Sequence, residues 1–502
     1  MMIQSALRKL QASGVQRLLS RSAFYALGEL LTKGARYITF PIFIAVLTVE
    51  EVGVLSIVQA VSMICWAIAT LGFGAAVKRF YRDSDGVADE TIVGRLWGIR
   101  LVLAAVPVSI LAGVVYFVGD RYFSGIPLGW ILLALLGGYL RAGTQIIEAW
   151  YIIREELVKY RAFTFLRFLT TTGLILLLVV MMKWGVYGAI LGETIGAAVW
   201  CAIAGVIALA PYFRDRNAGA IEQPQSLKPI LRYSLPVIPH AVFLWMLLSV
   251  DRVILQQHVA KQDIAVYEIT YMLAFLLMIV ASAINAVWLP DFFRTADKQH
   301  GPANYARTAN IFFSCVLAGA CAISLFAPDL IALFTGYRAE YSGAASLCRV
   351  LVIGTCCQSM FIAFSMPLLF TGRTGVLSLV SGLGVSLNVV FNLRLIPEIG
   401  TMGAAWATVI AYAGMCVAML LIVHFAYRIP WNYTGLVMGM VGFVALALVQ
   451  PTGEGSSFAN LLLRLVIAIV VGGGMFVWFQ FSHRFHVCRP AISESDLKEQ
   501  SV

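Results

Sequence analysis

Ten ionisable side chains stand inside otherwise apolar stretches, and their spacing is the chemistry on offer. Glu29, Lys33 and Arg36 fall at i, i+4 and i+7, one face of a helix. Arg141 and Glu148 are seven residues apart, with Thr144 and Gln145 between them, and Arg167 and Glu193 occupy the next two apolar stretches. Asp251-Arg252 are adjacent, and Glu268 follows one stretch later. A charge in hydrocarbon costs about 2.5 kcal/mol or more, so each needs a reason to be there. At about 1.5 Å per residue, Lys33, Arg36 and Arg141 sit near mid-depth and Arg167 about two turns into its stretch. Arginine forks two phosphate oxygens and keeps its charge. Lys33, Arg36, Arg141 and Arg167 are therefore expected to line a water-filled cationic cavity that takes an anionic substrate. Glu29, Glu148, Glu193, Asp251, Arg252 and Glu268 are expected to couple ion movement or to pair with neighbouring charges. A plainer role stays open, in which Glu29–Lys33, Arg141–Glu148 and Asp251–Arg252 neutralise themselves and hold helices together. Arg100, Arg349 and Arg394 are expected to snorkel towards headgroups.

The elements that must position these groups follow from hydropathy. Hydrophobic residues make up 60% of the chain and charged residues 12%, and mean hydropathy is +0.85. A soluble protein of this size has too little interior for that. A helix of about 20 apolar residues spans about 30 Å of hydrocarbon. The chain reads as an all-α polytopic membrane protein with about 14 transmembrane helices. The spans fall at about 21–46, 52–76, 95–118, 128–150, 161–182, 185–210, 230–256, 264–290, 307–327, 344–370, 375–395, 400–427, 431–449 and 459–480. The first is not a cleaved signal peptide, because Glu29, Lys33 and Arg36 interrupt it.

Loop charges orient the spans. With the N-terminus in the cytoplasm, inside segments hold 23 of the 36 Lys and Arg residues and outside loops hold 4. That is a positive-inside pattern, which places both termini in the cytoplasm. It also accounts for the net charge of +10, so no nucleic-acid partner is expected. The outside loop 328–343 offers only Asp329, Arg338 and Glu340, too little for a catalytic centre. The 9 cysteines and 6 histidines are scattered, without ligand spacing to acidic partners. No metal and no cofactor are expected, and the chain reads as a transporter rather than an enzyme.

The chain also repeats itself. Val52-Gly53-Val54-Leu55 matches Ile264-Ala265-Val266-Tyr267 at an offset of 212, and Phe80-Tyr81-Arg82 matches Phe292-Phe293-Arg294 at the same offset. Gly185-Val186-Tyr187-Gly188-Ala189 matches Gly400-Thr401-Met402-Gly403-Ala404 at 215. Six spans separate the copies, so both enter the membrane from the same side as parallel repeats. The expected organisation is an amphipathic cytoplasmic lead-in (1–20), a six-helix bundle (21–210), a cytoplasmic linker (211–229), a second six-helix bundle (230–427), two extra helices (431–480) and a cytoplasmic tail (481–502). The two bundles would enclose a central cavity. Pro41, Pro236, Pro239 and Pro290 mark where helices can bend. Tyr25, Tyr37, Trp150, Tyr151 and Trp245 offer faces for stacking on sugar rings, with packing as the commoner use of such residues.

Leu235-Pro236, Asp251-Arg252-Val253-Ile254-Leu255, Ala265-Val266-Tyr267 and Trp288-Leu289-Pro290 resemble the bacterial polysaccharide (O-antigen, Wzx-type) flippases. These belong to the multidrug/oligosaccharidyl-lipid/polysaccharide exporter superfamily. Asn388, Asn392, Leu395-Ile396-Pro397 and Gly400-Thr401-Met402-Gly403-Ala404-Ala405 resemble that family's span-eleven to span-twelve signature, and Phe24-Tyr25-Ala26-Leu27-Gly28 and Gly53-Val54 match in the first half. The resemblance covers roughly residues 20–425. It implies a flippase of the bacterial inner membrane that moves undecaprenyl-pyrophosphate-linked oligosaccharide units between leaflets by alternating access, for polysaccharide, lipopolysaccharide or exopolysaccharide biosynthesis. It also implies membrane lipid, a polysaccharide polymerase and a chain-length regulator as partners. It assigns no role to Lys33, Arg36, Arg141 or Arg167, which come from the depth argument alone. Three other readings stay open: an ion-coupled multidrug exporter, a peptidoglycan-precursor flippase, and a membrane glycan polymerase or ligase.

Overall fold

A computed structural model describes residues 37, 39–81, 89–217, 226–235, 237–295, 301–341, 343–370, 374–427, 429, 431–449, 464, 466 and 467. These residues form helices and connecting turns, with no strand among them. In chain order the helices are α1 (Val49–Ala69), α2 (Phe73–Phe80), α3 (Thr91–Tyr122), α4 (Leu128–Arg141), α5 (Thr144–Ile153), α6 (Leu157–Leu176), α7 (Gly185–Asn217), α8 (Leu227–Ser234), α9 (Val237–Leu255), α10 (Lys261–Thr295), α11 (Gly301–Thr335), α12 (Ala344–Phe370), α13 (Thr374–Tyr427) and α14 (Tyr433–Val449).

Nine helical stretches among the described residues are long and apolar enough to cross a membrane. The chain is a multi-pass membrane protein. Twelve of the expected spans coincide with described helices. The first and last, at 21–46 and 459–480, lie mostly outside the described residues, as do Glu29, Lys33, Arg36 and Tyr25.

Local chemistry starts and stops these helices. A capping box opens α1: Glu51 N–H donates to Thr48 Oγ1 at 3.2 Å, and Thr48 N–H donates to Glu51 Oε2 at 2.8 Å. Two breaks fall at glycines, and a third separates α8, ending at Ser234, from α9, starting at Val237, beside the expected Pro236. α1 gives way to α2 at Leu71 and Gly72, with φ of 50° and 67°. α13 is two helices joined at Ile399 and Gly400, so the expected spans 375–395 and 400–427 are separate. By contrast α10 runs through Pro290 unbroken, and Pro239 falls in the first turn of α9, where a missing N–H costs nothing.

The turn at Gly400 has a counterpart. Gly400 has φ 58° and Gly185 has φ 56°, a conformation glycine adopts without penalty. Three residues later, a Cβ on Gly403 would lie 2.4 Å from the Leu395 carbonyl oxygen, and one on Gly188 would lie 3.1 Å from that of Leu178. The sequence match at offset 215 is thus the same tight reversal built twice, between α6 and α7 and within α13.

Packing sorts helices by exposure. α3 turns Val102, Val106, Ile110, Val114 and Phe117 outward, a stripe at near-fourfold spacing that suits lipid. α1 is buried on most sides. It packs on α3, α4 and α7, and also on α9 and α10. The two halves therefore meet along α1. Where α1 begins, a Cβ on Gly53 would fall 1.9 Å from the Lys261 carbonyl oxygen. Lys261 Nζ reaches Gly125 O at 3.2 Å and Glu50 Oε1 at 3.8 Å. Nearby, Arg338 Nη1 donates to the carbonyls of Ile44 at 2.7 Å and Leu47 at 3.1 Å. All these contacts lie at the end expected to face the periplasm.

A side chain at position 53 has nowhere to go, and overpacking costs about 1–3 kcal/mol. Gly53→Val is expected to lower the melting temperature of the purified protein by several degrees. Gly173→Ala, with nothing within 4 Å of the added atom, is expected to leave it within a degree or raise it slightly. Thermal denaturation followed by size-exclusion chromatography distinguishes the two.

Candidate functional site

The site is built around the gap between α4 and α5. Arg141 is the last residue of α4 and Thr144 the first of α5. A cation at a helix C-terminus meets the negative end of the helix dipole. Arg141 Nη1 pairs with Glu193 Oε1 of α7 at 3.6 Å, and the guanidinium carbon stands 5.7 Å from the ring centroid of Trp66. Its side chain is 42% exposed and that of Glu193 25%. A small pocket between α1, α4 and α7, lined by Gln59, Ser62, Gly137, Glu193 and Thr194, opens beside them.

A second pair lies alongside. Arg167 Nη1, from α6, donates to Glu148 Oε1 and, at 2.5 Å, to Thr144 Oγ1. Thr144 Oγ1 donates in turn to the Arg141 carbonyl at 2.9 Å. Next to this, Trp200 Nε1 donates to Thr170 Oγ1 at 2.6 Å. Four charges from α4, α5, α6 and α7 therefore share one partly exposed region inside the apolar layer. Arg141 and Arg167 are each matched by a glutamate, so these four groups sum to zero. Any cationic excess from the expected set would come from Lys33 and Arg36, which lie outside the described residues.

The pairing differs from the Arg141–Glu148 pair that a continuous helix suggests. That pair assumes an unbroken i, i+7 face. Arg141 instead meets Glu193 of α7, and Glu148 meets Arg167 of α6, while the chain passes Ala142 and Gly143 with right-handed helical dihedrals.

Asp251, Arg252 and Glu268 form a different kind of site. All three are buried, 1%, 4% and 4% exposed. Arg252 reaches Asp251 Oδ1 at 2.7 Å and Glu268 Oε2 at 3.1 Å, and its Nη1 donates to the Leu248 carbonyl at 2.7 Å. Its guanidinium carbon lies 4.1 Å from the Tyr271 ring centroid and 5.1 Å from that of Tyr267. The Tyr267 hydroxyl donates to Asp251 Oδ2, and the Tyr271 and Tyr412 hydroxyls are 3.4 Å apart. This network ties α9, α10 and α13 together. The tyrosines that seal it were not singled out by spacing. Tyr267 and Tyr271 are at i−1 and i+3 from Glu268, which is the signal the sequence carried.

Several other expectations change. Arg100 and Arg349 do not snorkel. Arg100 is fully buried and Arg349 is 4% exposed, its Nε donating to the Ser324 carbonyl at 3.2 Å. Both are enclosed by neighbouring helices and meet backbone carbonyls instead. Arg394 is exposed and pairs with Glu398 at 3.1 Å. Trp150, Tyr151 and Trp245 are buried in helix packing, so they offer no open face to a sugar. Tyr37 donates to the Met272 carbonyl at 2.8 Å. In the outer loop, burial pushes the Tyr341 hydroxyl up to about 12, and a backbone N–H, followed by Arg338, holds Glu340 below the usual carboxylate range.

The chain matches the family described as polysaccharide biosynthesis protein over residues 18–296. No curated protein sequence matches it. Among solved structures it is similar to the lipid II flippase MurJ in an inward closed conformation, at 11% identity and a TM-score of 0.66, covering 93% of this chain and 100% of that one. It is similar to the MATE multidrug transporter DinF-BH at 16% identity and 0.56, covering 83% and 97%. The Vibrio cholerae MATE transporter VcmN, in a mutant form, gives 15% identity and 0.52, covering 82% and 98%. At these identities the likeness is one of fold.

Removing one member of a buried ion cluster costs about 3–5 kcal/mol, because the remaining charges lose their partner. Arg252→Met is therefore expected to destabilise the protein strongly in thermal unfolding. Arg394→Ala, at a solvent-exposed pair, is expected to change stability by less than about 1 kcal/mol.

Proposed function

The chain belongs to the polysaccharide biosynthesis protein family, and on that premise we propose that it is a flippase for undecaprenyl-pyrophosphate-linked oligosaccharide units. It carries them from the cytoplasmic to the periplasmic leaflet of the inner membrane, with both termini in the cytoplasm. Two six-helix bundles alternate access around the central cavity. The observation that carries the reading is the partly exposed Arg141–Glu193 and Arg167–Glu148 cluster inside the apolar layer.

The physical problem for such a substrate is its headgroup. The polyprenyl tail can stay in lipid, whereas the sugars and the charged pyrophosphate cannot cross hydrocarbon unaided. Paired arginines answer this differently from bare ones. In the empty protein, glutamates satisfy Arg141 and Arg167, which keeps the uncompensated charge in the membrane small. A pyrophosphate oxygen can then replace Glu193 at Arg141, where the pair is 3.6 Å long and the arginine is the more exposed of the two. Arg167, held by both Glu148 and Thr144, is the scaffold for that exchange. Lys33 and Arg36 complete the cationic set. The likeness to MurJ over 93% of the chain, against 83% for DinF-BH, supports a lipid-linked substrate over a free drug. A polymerase and a chain-length regulator are the proposed partners downstream.

Arg141→Ala and Arg36→Ala are each expected to cut glycan export about tenfold at normal protein level, as expected for loss of a charge-assisted contact to phosphate. Arg141→Lys is expected to retain part of it. Surface glycan measured in a strain that depends on this chain is the readout, and full export by both alanine variants would remove the cationic-cavity assignment.

A further inference from the structure

Arg100 belongs to α3 and is fully buried, the largest side chain with no exposure among the described residues apart from Arg464. Its Nε donates to the Ala69 carbonyl at 3.1 Å, and its Nη2 donates to the Tyr139 carbonyl. The guanidinium carbon lies 4.8 Å from the Tyr139 ring centroid. The Tyr139 hydroxyl returns to the Leu101 carbonyl at 2.6 Å, which fixes that ring to α3.

Both carbonyls belong to helix ends that face a break. Ala69 is the last residue of α1, and Tyr139 lies in the last turn of α4. The backbone ladder passes each of them by. At the first break, Thr70 N–H goes to Trp66 O, Leu71 N–H to Ile68 O and Phe73 N–H to Thr70 O. At the second, Ala142 N–H goes to Gly138 O and Gly143 N–H to Leu140 O. An unsatisfied carbonyl in hydrocarbon is expensive, and two helix C-termini present partial negative charge. One guanidinium answers both.

Beyond the breaks, the two continuing half-helices belong together. α2 packs on α5, close enough that a Cβ on Gly74 would lie 3.3 Å from the Gln145 side chain. α2 also meets α8, where the Phe80 and Tyr233 rings stand edge to face at 5.7 Å. So α2 and α5 pair with one another, both also pack on α3, and α5 packs on α6 and α7; α2 joins α1 through the left-handed turn at Leu71 and Gly72, and α5 joins α4 through a turn in which Gly143 N–H skips to Leu140 O.

We propose that Arg100 is the shared pivot of spans two and four, a positioning residue about which α2 and α5 swing as one body against α1 and α4. The swing moves Thr144 and Glu148, on α5, relative to Arg141, on α4. It would therefore change the Glu148–Arg167 contact and the distance of Glu148 from the Arg141–Glu193 pair. What the motion serves rests on the flippase reading; the pivot itself does not.

Hydrogen exchange read by mass spectrometry on the full-length protein in nanodiscs tests this. Arg100→Met keeps the bulk and removes the charge. Exchange is expected to rise about tenfold in both residues 70–80 and residues 140–153, while α12 keeps wild-type rates. Arg100→Lys is expected to restore most of the protection. A uniform rise along the chain would mean plain destabilisation and would overturn the pivot, as would unchanged rates in either segment. Should Arg100→Met fail to fold, Gly143→Ala serves: its Cβ would sit 2.8 Å from Arg100 Nη1 and from Cys201 Sγ, displacing the arginine while leaving it in place chemically. Faster exchange in residues 70–80 as well as 140–153 is expected, although Gly143 lies in the second break alone. A response confined to 140–153 would show that the breaks are not linked through Arg100. No arm of the experiment uses a glycan, so its failure is distinct from failure of the flippase reading.

Discussion

Hydrocarbon offers no hydrogen bonds, and each polar group placed in it must find its partner within the protein. That constraint organises this molecule. Arg252 is surrounded by two carboxylates and two tyrosine rings. Arg464, fully buried, pairs with Asp329 across to α11. Arg100 closes two broken helix ends. Arg141 and Arg167 take glutamates from neighbouring helices.

The consequence is a division between the halves. In the second half the charged network is sealed, so it fixes α9, α10 and α13 against one another and leaves little room for exchange of partners. In the first half the pairs are partly exposed, sit at an interrupted helix and border a pocket. Partner exchange there would cost less, because an anion taking the place of a carboxylate would leave no arginine bare. The repeated glycine reversals at Gly185 and Gly400 show the two halves share a backbone plan. What differs is where each half spends its ionisable residues.

The class of fold was legible because twenty-residue apolar runs have few other uses, and the described helices follow those runs closely. The Gly400 reversal was legible as a repeat of Gly185, since a positive φ leaves a glycine at the same place in both copies. The broken spans were not. Nothing in Leu71-Gly72 or Ala142-Gly143 separates a break from a glycine tolerated in a helix, whereas Pro236 did mark the break between α8 and α9. Spacing along one helix puts Glu148 on the face of Arg141, but the partners come from neighbouring helices, Arg167 for Glu148 and Glu193 for Arg141. Arg100 was misjudged because its role depends on two carbonyls that only a broken helix exposes. Of the pairs read from spacing, Asp251–Arg252 is present at 2.7 Å, whereas Arg141 and Glu148 each take a partner from another helix.

Flipping by the purified protein tests the central claim most directly. The protein is reconstituted in liposomes with a fluorescent oligosaccharide on a polyprenyl-pyrophosphate carrier, and leaflet exchange is followed by quenching from outside. Exchange well above that of protein-free liposomes is expected, with competition by unlabelled pyrophosphate-linked glycan. Exchange no faster than in empty liposomes, alongside transport of a cationic dye, would contradict it.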